Sequence, residues 1–299
     1  MDDALVIAPV VRDALSAGRP LVALESALIT HGFAYPANLA ITRQMAEAIR
    51  DGGALPVVVG VWQGTPWVGL DDAQLERLAT DGEAVKVSVR DLPLARLCGG
   101  HGGTTVAATA FLAQRAGLVV FATGGIGGVH RGHPEDVSAD LPVLASTPLV
   151  VVCAGAKSIL DLPRTLETLE TWGVPVVGWR TSEFPAFYSR RSGLPVDVRA
   201  ESAADIARIY RSQRSLGLPQ GLLVTVPVPA TDEVPAELVE PLIAAALAEA
   251  EEAGVKGKAL TPFILARMVA LSAARTQRAN ESLLIQNARV AAQIAGALA

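Results

Sequence analysis

The chain has few cysteines, few aromatic residues and no long apolar segment. Two cysteines, Cys98 and Cys153, occur among 299 residues, and aromatic residues make up 4%. Two cysteines cannot build a disulfide framework, so we expect two buried thiols in a reducing compartment. The first residues, MDDALVIAPVVRDAL, lack the basic start of a secretory signal, and the run LVVFATGGIGG is too short to cross a bilayer. These absences predict a cytoplasmic protein with no membrane segment.

The chain also lacks any cluster of basic residues. Lys and Arg total 25 against 30 Asp and Glu, which gives a formal net charge of −5. Nucleic acid is therefore not an expected partner, because affinity for it depends on neutralising many phosphates. A small anionic ligand is still allowed, since a few local cations can hold one.

Small and branched apolar residues are abundant, and they fall into alternating segments. The hydrophobic share is 51%. Strand-like runs alternate with amphipathic helical stretches, which predicts an α/β fold with a largely parallel sheet covered on both faces. Ligands of such sheets bind beyond the carboxyl ends of the strands. The runs are LVALES (21–26), ALPVVVGVW (54–62), GLVVFATGG (117–125), TPLVVVCAGA (147–156), VPVVGW (174–179) and GLLVTVPVP (221–229).

Two charged residues lie at the ends of apolar strand-like runs. Glu25 closes LVALE, and a carboxylate there must be paired, ligated or protonated. It is either half of a structural ion pair or a general acid. Lys157 follows VVVCAGA, and a lysine that has lost hydration is a candidate amine nucleophile. The alternative for Lys157 is an ordinary surface ion pair, and the segment is not a phosphate-binding P-loop because residue 156 is Ala.

Glycine-rich segments suggest a place for an anion. CGGHGGTTVA (98–107) and FATGGIGGVHRG (121–132) do not contain the dinucleotide-binding pattern. Their backbone N–H groups could cradle an anion, especially where Gly102 to Thr105 enter a helix, or they could simply form tight turns. The pair His130 and Arg131 favours an anionic ligand in the second segment.

The segment DVSADL (136–141) offers two carboxylates. Asp136 and Asp140 could ligate a hard cation such as Mg²⁺ or Mn²⁺. Alternatively, Ser138 caps a helix whose first turn is acidic. His130 and His133 do not have the spacing of a structural zinc site.

Together these segments resemble one enzyme family. The chain is similar to the pseudouridine-5'-phosphate glycosidase family, also called the indigoidine synthase A-like family, over nearly its whole length. The matching stretches are ALESALITHG, VKVSVRDLP, GGHGGTTVAAT, FATGGIGGVHRG, DVSADL, VVCAGAKSILDL, GVPVVGW, GVKGKALTPFILARM and the neighbourhood of Asn280.

The resemblance implies a fold, an activity and a set of roles. The fold is a single α/β/α layered domain spanning residues 1–299 with a largely parallel central sheet, assembled as a homotrimer. The activity, also known as pseudouridylate synthase, is reversible cleavage of the C–C glycosidic bond of pseudouridine 5'-phosphate to uracil and ribose 5-phosphate through a lysine–ribosyl adduct. By the same resemblance, Glu25 is the proton donor, Lys157 the nucleophile and Asp136 the ligand of one Mn²⁺ or another divalent ion. The remaining implied residues contact substrate: Lys86, Val106, Thr123, His130, Ser138, Ala139, Asp140 and Asn280.

Two other functions fit part of this pattern. A Schiff-base lyase of the aldolase type, acting on another phosphorylated sugar, needs the same lysine and phosphate site but no nucleobase pocket. A non-catalytic relative in pigment biosynthesis should have lost Glu25 or Lys157, and both are present.

Overall fold

A computed structural model describes residues 5–255 and 260–299 of the chain. Of the family segment GVKGKALTPFILARM, residues 256–259 lie outside that part. The strands are β1 (Val6–Ile7), β2 (Leu21–Glu25), β3 (Leu55–Trp62), β4 (Thr65–Val68), β5 (Val85–Val87), β6 (Gly102–Thr104), β7 (Val120–Ala122), β8 (Val129–His130), β9 (His133–Val137), β10 (Val150–Cys153), β11 (Leu160–Asp161), β12 (Val176–Trp179), β13 (Val198–Ala200) and β14 (Leu222–Thr225).

The helices lie between these strands and form the tail of the chain. They are α1 (Pro9–Ser16), α2 (Ala27–His31), α3 (Ala37–Asp51), α4 (Asp72–Thr80), α5 (Leu92–Cys98), α6 (Val106–Arg115), α7 (Asp140–Ser146), α8 (Leu162–Thr171), α9 (Ala203–Ser215), α10 (Ala236–Glu252), α11 (Leu260–Leu271) and α12 (Arg275–Leu298), with a 3₁₀ turn at Val89–Asp91. No helix in the described ranges is both long enough and apolar enough to cross a membrane.

The central sheet is mostly parallel, as the sequence predicts. Within the described residues it has eleven strands in the order β1-β4-β3-β2-β7-β10-β14-β12-β13, with β5 and β6 joined to the side of β3. The pairs β3–β4 and β3–β6 are antiparallel. From β2 the chain moves to β3 on one side, whereas from β7 it moves to β10 on the other. The crevice between β2 and β7 is therefore a point where strand order reverses, which is where ligands bind in open α/β sheets.

Two groups of helices cover the sheet. α3 and α9 pack on α12, and α12 contacts β2, β7 and β10. α6 contacts β2 and β3 and packs on α7, which in turn contacts α8. The buried apolar side chains, dominated by Ala, Val and Leu, fill the space between sheet and helices in one continuous cluster of the described residues. This is the layered α/β/α arrangement that the sequence predicts.

Some elements differ from the sequence expectation. A small sheet of order β11-β8-β9 was not expected, because β8 and β11 have two residues each and every residue of β9 is exposed, so neither shows an apolar pattern. The helix expected from Gly103 begins only at Val106, because Gly102–Thr104 pair as a strand instead. Helix α2, directly after β2, was not expected either.

The two cysteines have different environments. Cys153 is a fully buried thiol, and burial raises its pKa to about 12. Cys98 is exposed at the end of α5, so the expectation of two buried thiols is wrong for this residue. A short helix with a solvent-facing last turn leaves its final side chain uncovered. Both thiols are free.

Candidate active site

A cavity of about 420 Å³ opens at the carboxyl ends of β2, β7 and β10. α12 forms part of its wall through Asn280 and Leu284. The sequence-predicted residues in its lining are Glu25, Lys86, Val106, His130, Asp136, Ser138, Ala139, Asp140, Lys157 and Asn280. Residues that are far apart in sequence thus meet at the edge of the sheet where the topology predicts a ligand.

Glu25 reaches the cavity from the last position of β2. Its carboxyl group accepts a hydrogen bond from the Thr123 hydroxyl. Burial raises the pKa of Glu25, and the nearby Lys157 charge and the Thr123 hydrogen bond oppose that rise only in part. A carboxyl group in this environment holds its proton to higher pH than an exposed one, as a general acid requires.

Thr123 lies behind Glu25 rather than in the lining. It is fully buried, so it orients the carboxyl group instead of facing a ligand, contrary to the expectation that it lines the pocket. Its carbonyl accepts a hydrogen bond of 2.8 Å from the Asn287 side chain on α12. A residue that touches no ligand can thus still set the geometry of the acid.

Lys157 is held by backbone contacts beyond β10. Its N–H donates to the Ile126 carbonyl at 3.0 Å, and its own carbonyl accepts from Leu160 N–H at 3.0 Å. Gly155, two residues earlier, has φ +88°, and a Cβ atom there would lie 2.3 Å from the Pro185 carbonyl oxygen. Only glycine fits this turn. The turn therefore lets the chain leave the buried strand and present the lysine amine to the cavity.

Asp140 connects three segments of the chain as well as lining the cavity. Its two carboxylate oxygens accept from Ala107 N–H at 2.8 Å and Gly127 N–H at 2.7 Å. A Cβ atom on Gly127 would lie 2.2 Å from the Ser138 hydroxyl oxygen, so the turn must be glycine to come this close. Asp140 therefore joins the start of α6, the glycine turn after β7 and the start of α7.

Of the two alternatives for Gly102 to Thr105, an anion cradle or a tight turn, the contacts of Thr104 and Thr105 do not support the cradle, because both N–H groups have partners within the protein. Thr104 N–H donates to the Ser26 hydroxyl at 2.9 Å, and Thr105 N–H donates to the Val87 carbonyl at 2.9 Å. The anion at the start of α6 is the protein's own carboxylate, Asp140. Ser138 does not cap α7 from the N-cap position, which is Ala139, but its hydroxyl accepts from Asp140 N–H at 3.2 Å.

Asp136 lies at the rim of the cavity. Its side chain is 53% exposed, and an oxygen of its carboxylate is 3.4 Å from His130 Nδ1. His130 Nδ1 also lies 3.0 Å from the Asp136 carbonyl oxygen. Unlike Asp140, whose oxygens each already accept a backbone N–H, Asp136 has carboxylate oxygens available to a cation.

The donor set fits a hard cation with a mostly solvent shell. Within residues 5–255 and 260–299, no group of three or more His, Cys, Asp or Glu side chains is placed to hold a metal. A metal at Asp136 would therefore take one carboxylate and complete its shell with water and substrate oxygens. Mg²⁺ and Mn²⁺ accept such a set, whereas structural zinc does not.

Several lining residues were not identified from the sequence. His31, Ser88 and Arg90 join Lys86 around one part of the cavity. Burial and the Lys86 charge lower the pKa of His31. The side chains of Leu28, Phe187, Leu265 and Leu284 supply apolar lining. His31 sits in the quoted motif ALITHG and could have been found there, but nothing local marks Phe187, which follows a loop remote from every motif.

Arg131 does not face the cavity. It forms a two-point ion pair with Glu240 and donates to backbone carbonyls, so the expectation that the pair His130–Arg131 meets an anion is wrong for the arginine. Arg131 lies in the turn between β8 and β9. His130 at the end of β8 lines the cavity, whereas Arg131 lines a separate surface pocket together with Glu240.

Comparison with known proteins matches the chain over its full length. The family described as "Indigoidine synthase A like protein" matches residues 10–297. A relative from Methylobacterium nodulans, named pseudouridine-5'-phosphate glycosidase, is 53% identical over 296 residues, covering 98% of this chain and 88% of the relative. A relative of the same name from Solibacter usitatus is 52% identical over 293 residues, covering 97% and 98%.

Solved structures share the fold. The prealnumycin C-glycosynthase AlnA in complex with ribulose 5-phosphate superposes with a TM-score of 0.91 at 39% identity, covering 100% of this chain and 98% of that one. An indigoidine synthase A-like protein from Thermotoga maritima superposes with a TM-score of 0.90 at 36% identity, covering 99% and 97%. The chain therefore belongs to the indigoidine synthase A-like family.

Proposed function

We propose that this protein reversibly cleaves the C–C glycosidic bond of pseudouridine 5'-phosphate, giving uracil and ribose 5-phosphate. The observation that carries the proposal is the pairing, in one cavity, of a carboxyl group whose pKa is raised by burial, Glu25, with an amine, Lys157. Relatives that cover nearly the whole chain are named for this activity. The C-glycosynthase with ribulose 5-phosphate supports a pentose phosphate ligand and a carbon–carbon bond.

The chemistry needs an amine because carbon is a poor leaving group. The Lys157 amine attacks C1' of the ribosyl group, and the ring oxygen leaves with a proton as a hydroxyl group. C5 of the base then takes a proton from Glu25, the C1'–C5 bond breaks, and uracil departs with the bonding electrons. An imine remains between C1' and Lys157, and water hydrolyses it to ribose 5-phosphate and free lysine.

The other lining residues have roles in binding. We propose that Lys86 holds the phosphate, with Arg90 and His31 beside it. Val106, His130, Ser138, Ala139 and Asn280 contact the sugar and base, while Asp140 acts mainly by fixing the loops that surround them. A Schiff-base lyase would need no group aimed at a departing base, and the raised pKa of Glu25 in the cavity favours glycosidic cleavage over that alternative.

We propose Mn²⁺, or a similar hard divalent ion, at Asp136. When bound, it would order water and neutralise negative charge at the rim of the cavity. A homotrimer and a cytoplasmic location are proposed from the family resemblance.

The direct test is release of uracil from pseudouridine 5'-phosphate by the purified protein, followed by chromatography with and without Mn²⁺. Uracil and ribose 5-phosphate should form in equal amounts, and the reverse mixture should give pseudouridine 5'-phosphate. Borohydride added with ribose 5-phosphate should reduce the imine and add the sugar mass to Lys157, which Lys157→Met abolishes.

Other outcomes would contradict the assignment. Cleavage of another phosphorylated sugar without uracil release would favour the lyase. An adduct on Lys86, or an active enzyme that yields no adduct at all, would remove Lys157 as nucleophile. A well-folded protein that is inert toward every phosphorylated ribose would favour the non-catalytic relative.

A further inference from the structure

The Arg131 side chain bonds to the chain just after Lys157, in and at the end of the lysine-bearing loop, residues 154–159 between β10 and β11. Its Nη2 donates to the Ser158 carbonyl at 2.9 Å, and its Nε donates to the Leu160 carbonyl at 3.0 Å. These carbonyls flank Ile159 and directly follow Lys157. The planar guanidinium can serve two acceptors at fixed spacing, which a lysine cannot do.

The inner side of the same loop is already fixed. Ile126 and Ala156 form a parallel bridge, and β11 pairs antiparallel with β8 just after the lysine. Ser158 and Leu160 are 3% and 2% exposed, so little water can replace a lost partner of their carbonyl groups. The Arg131 side chain therefore fixes the outer side of the loop by bonding to these two carbonyl groups.

Arg131 also connects the loop to α10, which packs on α11, a helix that lines the cavity. Its Nη1 and Nη2 donate to the two carboxylate oxygens of Glu240 on α10, at 2.6 and 3.1 Å. α10 packs on α11 and is tied to it by a two-point ion pair between Glu249 and Arg267. α11 in turn supplies Leu265 to the cavity lining. A continuous set of contacts thus runs from the lysine-bearing loop through α10 to α11 and the cavity lining.

We propose that Arg131 is a positioning residue that sets the attack geometry of Lys157, and that Glu240 holds it there from α10. This inference rests on the proposed function. Displacement of a reacting group by about 1 Å can lower turnover by about 100-fold without touching the substrate. Since the phosphate-side residues lie on other elements, α2, β5 and the 3₁₀ turn, substrate binding should be nearly independent of Arg131.

The test compares Arg131→Met, Arg131→Lys and Glu240→Gln with the unaltered protein. Arg131→Met should lower kcat for uracil release by about 10- to 100-fold and leave KM within about twofold. Arg131→Lys should recover part of kcat, because one charge-assisted hydrogen bond is retained. Glu240→Gln should cause a smaller loss, since both carbonyl contacts remain. Hydrogen exchange of the amides at residues 157–161 should accelerate in the same order.

Arg191→Met is the matched control. Arg191 also makes a two-point contact with a glutamate, at 2.9 and 2.5 Å to Glu183, but neither residue lines the cavity. It should change neither kcat nor exchange at residues 157–161.

Three results would overturn the inference. The first is an Arg131→Met variant with normal kcat and only a lower melting temperature, which would mean that Arg131 has a purely structural role. The second is an Arg131→Met variant whose KM rises while its kcat is unchanged, which would mean that Arg131 acts in substrate binding. If Arg131→Met does not fold, the third is a normal kcat in both Arg131→Lys and Glu240→Gln, which would also contradict a positioning role. Failure of the unaltered protein to release uracil would refute the proposed function instead, and hydrogen exchange would still test the loop contacts.

Discussion

At the scale of single residues, Glu25 shows how position alone changes a side chain's chemistry. An exposed glutamate is ionised at neutral pH, whereas burial at the end of β2 raises the pKa of this one. Thr123 aims the carboxyl group, and Asn287 fixes Thr123 from α12. The acid therefore depends on two residues that never reach the cavity.

Glu25→Gln should separate catalysis from architecture. The amide keeps the size of the side chain and can still bond to Thr123, but it cannot donate a proton to the departing base. Substrate binding should persist, while turnover falls by about two to four orders of magnitude, the range expected for loss of a general acid. Single-turnover uracil release and melting temperature are measured on one preparation. Normal turnover, whether in a stable or an unstable variant, would remove Glu25 from the proton transfer.

The same substitution should change how stability depends on pH. A carboxyl group whose folded-state pKa is raised stabilises the fold below its unfolded pKa, about 4.3, and loses that contribution as pH rises through the folded pKa. The glutamine side chain of the variant does not titrate. The stability of Glu25→Gln relative to the unaltered protein should therefore increase as pH rises from about 4.3 through the raised folded-state pKa of Glu25. Urea unfolding at several pH values measures the difference in unfolding free energy between the variant and the unaltered protein. A difference that stays constant with pH would contradict the argument that burial raises the pKa of Glu25.

At the scale of elements, the start of α6 is occupied by the carboxylate of Asp140 from α7. This contact brings the glycine-rich segments 98–107 and 121–132 together, because one carboxylate accepts from Ala107 N–H in the first and from Gly127 N–H in the second. The two carboxylates of DVSADL therefore have different roles. Asp140 accepts backbone hydrogen bonds, whereas Asp136 lies at the exposed rim of the cavity.

Asp140→Asn and Asp136→Asn should therefore affect different properties of the protein. The amide introduced by Asp140→Asn turns an N–H group toward a backbone N–H, which should cost about 1–3 kcal/mol of unfolding free energy. Asp136→Asn should keep the melting temperature but remove the response of turnover to EDTA and added Mn²⁺. Full metal dependence in Asp136→Asn, combined with its loss in a folded Asp140→Asn, would move the proposed metal ligand to Asp140.

The main elements were predictable because each has a local pattern. The strands β2, β3, β7, β10 and β14 are mostly apolar runs, and Glu25 at the end of β2 and Lys157 shortly after β10 were candidates for that reason. The sheet of β8, β9 and β11 has no such pattern, since HPEDV is exposed throughout. The partners of Asp140 and Arg131 are set by tertiary contacts 13 to 109 residues away, which no local pattern records.

At the scale of the whole molecule, the cavity is assembled from chain segments between residues 25 and 284. The segments belong to both covering layers and to the sheet between them. A ligand that binds only the assembled cavity must therefore stabilise the folded protein as a unit rather than one part of it.

Ribose 5-phosphate should raise the melting temperature of the whole protein in a single transition. At 100 times its Kd, a ligand that binds only the folded state adds about 2.7 kcal/mol, which corresponds to roughly 4 °C for a chain of this size. Lys86→Met should need a higher ligand concentration for the same shift, since it lacks the proposed phosphate contact. Sodium chloride at equal ionic strength controls for a general salt effect. A ligand-induced shift confined to one of two separate transitions would mean that the cavity does not unite the molecule, and no shift at saturation would mean that ribose 5-phosphate does not bind it.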